Sequence, residues 1–462
     1  MVSIADRYAQ EEDELLWTML DKRFFSVWKD PDANRELWQG SSLELFITSD
    51  CNARCSYCYL HQHGDQLYPP EYRGYDIIFR NLRLIMEFIR DNDFQICELE
   101  LFSGEIWHTD FGREVLHTIL GYIRNGAMIS NVMIPTNCTF ALNDSGLQTM
   151  QDMVDQYREA GSQLTLSASI EGLALEDITR PITDGIRDGE FYHRLFSFMR
   201  KHDFMFHPMV SADNVHLWIS NYDWFESMCI AYDYSFPRSV MMLEVRNDDW
   251  NDDSLEHLKD YYRHQIARMW ELSNNDMAAF CSMLLGIGDS DRDSGGYSNV
   301  ALPLARNQAA CSIPLTLTVR VGDLSIIPCH RLGYDQYHYG RFTQVDNSIS
   351  FVEANNPQMM IKCVFSNILL SHHGCDVCAY SGFCMRACFG QQYESGGDPF
   401  MPSEKVCKLM QTKFNYLIDT YQEFGVIDYL VNLDPTDASY IYSRQILENI
   451  GRIMKVRGDD DV

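Results

Sequence analysis

Three cysteines, Cys51, Cys55 and Cys58, stand in the segment CNARCSYC with the spacing C-x3-C-x2-C. Three thiolates so close can wrap one metal centre, yet they leave a fourth position open. Structural zinc closes its shell with four ligands. A cubane iron–sulfur cluster takes one cysteine per iron, so three cysteines leave one iron free to bind a small molecule through amino and carboxylate groups. A second array reads Cys375-x2-Cys378-x5-Cys384-x3-Cys388-x18-Cys407, with Cys311, Cys329 and Cys363 upstream. Those eight suffice for two four-cysteine sites, of iron–sulfur or zinc type. The total of 15 cysteines is odd and the spacings are tight, which argues for metal over a disulfide framework.

The elements that must hold these residues follow from periodicity. Six apolar, strand-like runs occupy 42–51, 96–105, 128–137, 163–172, 204–214 and 239–248, with helical stretches at 73–92, 143–160 and 188–202 among those between them. Strand alternating with helix predicts right-handed crossovers and a parallel sheet. Six units make a partial (β/α)6 barrel of the α/β class, short of the eight that close a TIM barrel. Chemistry in such folds gathers at the C-terminal strand ends. There stand Cys51, then Ser103-Gly104-Glu105, then Thr136 and Asn137, then Ser169 and Glu171, then Ser211 and Asn214, then Glu244 and Arg246. One pocket is expected to collect them.

The three-cysteine spacing, with aromatic Tyr57 before its last cysteine, resembles the radical S-adenosylmethionine superfamily. The resemblance implies a 4Fe–4S cluster on Cys51, Cys55 and Cys58, whose open iron chelates S-adenosyl-L-methionine. One electron then breaks the S–C5′ bond, and the 5′-deoxyadenosyl radical abstracts a hydrogen atom. Ser103-Gly104-Glu105 matches the family's Gly-Gly-Glu with Ser for the first Gly. Thr136 and Asn137 match Thr-Asn-Gly with Cys138 for Gly, and Ser169 to Gly172 match Ser-Ile-Asp-Gly with Glu171 one methylene longer. These positions, with Asn214 and Arg180, are the implied cofactor contacts.

The C-terminal cysteines resemble the SPASM extension of radical enzymes, which implies two auxiliary 4Fe–4S clusters and three in all. By that resemblance Cys375, Cys378, Cys384 and Cys407 bind the outer cluster. Cys311, Cys329 and Cys388 bind the inner one, with Cys363 the available fourth ligand. His330 follows Cys329 where sulfatase-maturating relatives carry a basic Asp, and it is the candidate catalytic base. Cys97, Cys138, Cys229 and Cys281 read as core residues. His61 and His63 read as solvated or loop-capping side chains.

The implied organisation is a helical extension at 1–40, the barrel at 41–289 with a linker at 290–299, a SPASM domain with short strands and helices at 290–425, and a helical segment with an acidic tail at 426–462. With 37 basic and 66 acidic residues the formal charge is −29, which repels phosphate backbones and anionic lipid. No run reaches the roughly 18 apolar residues of a membrane span and no signal peptide is visible, so a cytoplasmic protein is expected. The expected substrate is a peptide or protein side chain, the expected electron donor a flavodoxin or ferredoxin. About 40 residues precede the first strand, fewer than a leader-binding domain needs, so either a separate protein recognises any leader or the barrel and SPASM domain bind the substrate directly. A radical dehydrogenase or modifier of a small molecule, and a non-catalytic zinc-stabilised scaffold, are the competing readings.

Overall fold

The computed structural model describes residues 41–102, 104–234, 236, 239–285, 300–304, 316–345, 348–352, 374–375, 377–384, 388–437 and 439–458. The expected extension at 1–40, the linker at 290–299, the tail beyond 458, and Ser103, Cys311 and Cys363 lie outside those residues.

Strand–helix alternation runs through β1 (Ser41–Phe46), α1 (Tyr59–Leu67), α2 (Tyr75–Asp91), β2 (Gln95–Phe102), α3 (Asp110–Arg124), β3 (Met128–Thr136), α4 (Asp144–Glu159), β4 (Gln163–Ala168), α5 (Gly189–His202), β5 (Met205–Phe206), β6 (Met209–Val210), α6 (Trp218–Ala231), β7 (Leu243–Glu244), α7 (Asp252–Leu272) and α8 (Met277–Leu285). Strands β1 to β5 are parallel and pair in chain order. Their alternation builds the two faces. Leu43, Leu45, Leu99, Leu101, Val132, Ile134, Leu164 and Leu166 are buried and join one core with Ile78, Leu82, Ile85 and Ile89 of α2. The pleat turns the residues between them, Glu44, Glu98, Glu100, Asn131 and Thr165, to the opposite face, the barrel interior.

The first expected strand stops at Phe46, but its pairing with the second continues irregularly. Ile47 N donates to Phe102 O, Gly104 N to Thr48 O and Glu105 N to Asp50 O, so Cys51 follows the last paired residue directly. The fifth and sixth runs also pair almost throughout. Met241 N donates to Phe206 O, Leu243 N to Pro208 O and Val245 N to Val210 O. Pro208 has no N–H to return, which breaks the ladder into short strands. Cys97, expected in the core, is exposed. It is the extra residue of a bulge, since Ser41 pairs with Ile96 and Ser42 with Glu98.

The C-terminal part extends the same sheet. β8 (Thr316–Arg320) lies parallel to β1 on its outer edge, followed by antiparallel β9 (Ser325–Ile327), β10 (Gly340–Val345) and β11 (Ser348–Val352). Helices α9 (Phe389–Gly396), α10 (Glu404–Glu423), α11 (Val426–Val431) and α12 (Tyr440–Arg457) complete the chain. Among the described residues, no helix is long and apolar enough to cross a membrane.

Candidate functional site

A cavity of about 280 Å³, near the lower size limit of small-molecule sites, opens at the C-terminal strand ends. Cys51, Cys55 and Cys58 all line it. The loop that carries them is held as a strand edge. Ser56 N donates to Thr179 O, Arg54 N to Pro181 O and Thr183 N to Asn52 O, with an antiparallel bridge between Ala53 and Ile182. His61 closes the loop from the other side, its Nε2 lying 3.0 Å from Ala53 O. Burial, then nearby Glu105, pushes the Cys51 thiol up to about 12, and Cys55 and Cys58 add to the rise. Thiolates are stable in such a place only beside a strong positive charge, which a metal centre supplies.

Among the described residues, no three or more His, Cys, Asp or Glu groups gather tightly enough to hold a single ion. A cube of irons and sulfides spreads its cysteine ligands farther apart than one ion does. The donor set of three thiols on one cavity wall fits such a cluster and lacks the closed shell of zinc.

The rim motifs converge on the same cavity. Gly104, Glu105, Thr136, Asn137, Ser169, Arg180 and Tyr57 line it; Glu171 and Asn214 do not. A Cβ on Gly104 would fall 2.1 Å from Asp50 O and 2.7 Å from Ser49 O, so only glycine lets these strand ends approach. Glu105 is buried and its oxygens are already engaged. Oε1 accepts from Trp107 N (3.1 Å) and Thr136 Oγ1 (3.0 Å), and Oε2 accepts from Asn137 N (2.5 Å). Glu171 is fully enclosed, accepting from Met209 N at 2.7 Å, from Arg180 and from the Tyr57 hydroxyl. Arg180 also donates to the Tyr57 hydroxyl. Asn214 is turned inward, with Oδ1 2.8 Å from both Ser211 N and Trp218 Nε1.

Several participants carry no motif. Glu176 accepts from Glu171 N at 2.6 Å and pairs with buried Arg187 at 2.8 Å. Arg187 in turn donates to Asn137 O at 3.1 Å, tying the third and fourth strand ends together. Asn52 accepts from Asn137 Nδ2 at 2.7 Å. His207 lines the cavity, and burial followed by Arg180 pushes its imidazole down to about 4, so it is neutral near pH 7. In the sequence it is only one residue of the strand-like run at 204–214.

His330 reaches the cavity from the C-terminal part. Its ring stacks on Phe102 with centroids 3.4 Å apart and 2° between planes, and its Nδ1 lies 2.9 Å from Glu44 Oε1 in the barrel. With Nδ1 as donor to Glu44, Nε2 is left as an acceptor. Glu44 carried no sequence signal beyond being acidic inside a strand. Arg331 pairs with Glu394 and sits over the Tyr59 ring, 4.5 Å from its centroid.

The outer cysteines also meet. Cys407, on the exposed side of α10, lies within electrostatic reach of Cys384, Cys375 and Cys378. Cys388 is near Arg331, and Cys329 is near Tyr59, which brings both toward the barrel. Cys138, Cys229 and Cys281 are buried.

No protein-family model matches the sequence, and no curated protein matches it. Solved structures do match in fold. Native anSMEcpe, an anaerobic sulfatase-maturating enzyme with bound AdoMet, aligns with a TM-score of 0.53 and 12% identity over 84% of this chain and 99% of its own. The same protein with AdoMet and the Cp18Cys peptide gives 0.51 and 15%, over 84% and 99%. Streptococcus suis SuiB bound to S-adenosylmethionine scores 0.44 at 12% identity, over 87% and 88%, and adds nothing to the assignment. The chain therefore has the fold of a SPASM-type radical S-adenosylmethionine enzyme, a partial parallel barrel joined to a cysteine-rich C-terminal part.

Proposed function

We propose that this chain is a radical S-adenosylmethionine enzyme that modifies a side chain of a peptide or protein. One observation carries the reading: three cysteines line a cavity at the C-terminal ends of parallel strands, in the fold of an AdoMet-binding maturase. When bound, the cluster and cofactor supply a single-electron cleavage of the sulfonium S–C5′ bond, leaving methionine and a 5′-deoxyadenosyl radical that takes a substrate hydrogen atom.

The protein's own part is to bind, orient and exclude. Cys51, Cys55 and Cys58 hold the cluster. Gly104 and Glu105 frame the cofactor's amino end with Thr136 and Asn137, while Ser169 and Arg180 serve its carboxylate and ribose beside Tyr57, with Glu171 behind them. The internal bonds of Glu105 and Glu171 make them rigid frames more than free ligands, and the inward turn of Asn214 makes it a bracket for the strand end. Cys375, Cys378, Cys384 and Cys407 hold an outer auxiliary cluster; Cys329 and Cys388 hold an inner one with Cys311, and Cys363 as fourth ligand. His330, oriented by Glu44, is the group that accepts a substrate proton at Nε2. An electron donor of flavodoxin or ferredoxin type and a separate leader-binding protein complete the proposed partners, in the cytoplasm.

The test is anaerobic reconstitution. The protein should turn brown, hold roughly twelve irons if three cubanes form, and release 5′-deoxyadenosine when reduced with S-adenosylmethionine. Replacing Cys51, Cys55 and Cys58 by Ala should abolish that release. A colourless protein rich in zinc, or 5′-deoxyadenosine from the triple variant, would end the proposal.

A further inference from the structure

Two residues that line the cavity, Tyr59 and Asn247, each carry an enclosed polar atom with no hydrogen-bond partner among the described residues. Tyr59, Asn247, Arg331 and His330 line the same cavity as the cysteine trio. A chain of contacts fixes them. Asn247 Nδ2 donates to Glu394 Oε2 at 2.9 Å, Glu394 pairs with Arg331, and the Arg331 guanidinium lies over the Tyr59 ring. The His330 ring flanks Tyr59 with centroids 5.7 Å apart. The Tyr59 hydroxyl and Asn247 Oδ1 are buried and have no hydrogen-bond partner among the described residues. The Asn247 orientation follows from chemistry: Glu394 offers only acceptors, so the amide nitrogen must face it and Oδ1 is left over.

Buried polar groups find partners, and an unmatched pair in one cavity points to a ligand that matches it. The pair comprises one hydroxyl able to donate and one carbonyl oxygen able only to accept, on separate elements of the fold. The guanidinium on this side of the cavity, Arg331, is neutralised by Glu394. The wall thus suits a neutral group that carries a donor and an acceptor on different atoms. We propose that this wall grips an amide of the substrate: the ligand N–H donates to Asn247 Oδ1, and the Tyr59 hydroxyl donates to the ligand carbonyl. The aromatic faces of Phe102, His330 and Tyr59 then flank the attached side chain. This deepens the reading above and rests on it, naming a peptide-bond or carboxamide group as what the site recognises.

The test uses the reconstituted protein and three matched probes: N-benzylacetamide, benzyl acetate and benzyl β-D-glucopyranoside. The first two differ only by N–H against O. Dissociation constants from ligand-detected NMR should favour the amide over the ester by about fivefold, the worth of one net hydrogen bond. That preference should vanish in Asn247→Leu and in the smaller Asn247→Ala, either of which suffices if it melts cooperatively. Tyr59→Phe should weaken amide and ester alike and keep their ratio. Equal binding of amide and ester by the unmodified protein, no detectable binding of the amide, a preference that survives at Asn247→Leu, or tighter binding of the glucoside would each overturn the inference. Iron content and 5′-deoxyadenosine release of the unmodified protein decide the parent reading independently of these affinities.

Discussion

Lys413 Nζ lies 2.6 Å from Glu244 Oε1, in an ion pair that joins the last barrel strand to the helix carrying Cys407. Both side chains are almost fully buried, 9% and 2% exposed, and the same Glu244 oxygen accepts from the Tyr262 hydroxyl at 2.6 Å. Burial works against the Glu244 charge, but Lys413 and Tyr262 outweigh it and hold the carboxyl below its usual range. The pair thus fixes the rotation and height of α10 against the barrel.

Lys413→Met should therefore destabilise the fold by about 3–5 kcal/mol, since it strands a buried carboxylate. Lys413→Met combined with Glu244→Gln should recover part of that loss. Chemical denaturation of the three proteins checks both statements; equal midpoints for the single variant and the parent would refute the first.

Glu100, on the interior face of the barrel, should make stability fall as pH rises. Burial, with Glu44 and then Glu98 beside it, pushes Glu100 up to about 8. The unfolded chain releases that proton near 4.3, so the native state keeps a proton that the unfolded state has lost. Its stabilising contribution is complete below about 4.3 and is lost as pH rises through 8. Glu100→Gln should remove the dependence. Its stability relative to the parent should grow between pH 5 and 8, by on the order of 1–3 kcal/mol after discounting for partial solvent contact. Parallel melting curves across that range would contradict this.

Gly104→Ala should damage the cofactor site more than the fold. The added methyl meets Asp50 O and Ser49 O, backbone atoms of the segment leading directly to Cys51. Relief requires that segment to move, and Cys51 with it. Binding of S-adenosylhomocysteine, measured calorimetrically on reconstituted protein, should weaken at least tenfold. An unchanged dissociation constant would show that the strand ends yield elsewhere.

Replacing Cys375 and Cys378 together should lower iron from roughly twelve to roughly eight per chain. 5′-Deoxyadenosine release should persist while modified substrate disappears. Full iron in the double variant would remove those cysteines from any cluster.

Much of this arrangement was legible in order along the chain. Local spacing is enough to put Cys51, Cys55 and Cys58 on one loop, because chain connectivity alone keeps them close. Strand periodicity likewise located β1 to β4 and the helices α2, α4 and α5, since alternating burial leaves a repeating trace. Where a proline or bulge broke the repeat, as at Pro208 and Cys97, the trace misled about strand length and side-chain direction.

What the linear order does not encode is partnership across distance. The Glu44–His330, Asn247–Glu394 and Glu244–Lys413 contacts each link the barrel to the C-terminal part. No sequence signal marked them, because an acidic residue in a strand looks the same whether it faces water or a partner more than a hundred residues away. Composition and spacing determined which atoms are able to bind metal; folding alone decided which polar atoms are spent on one another and which are left for a ligand.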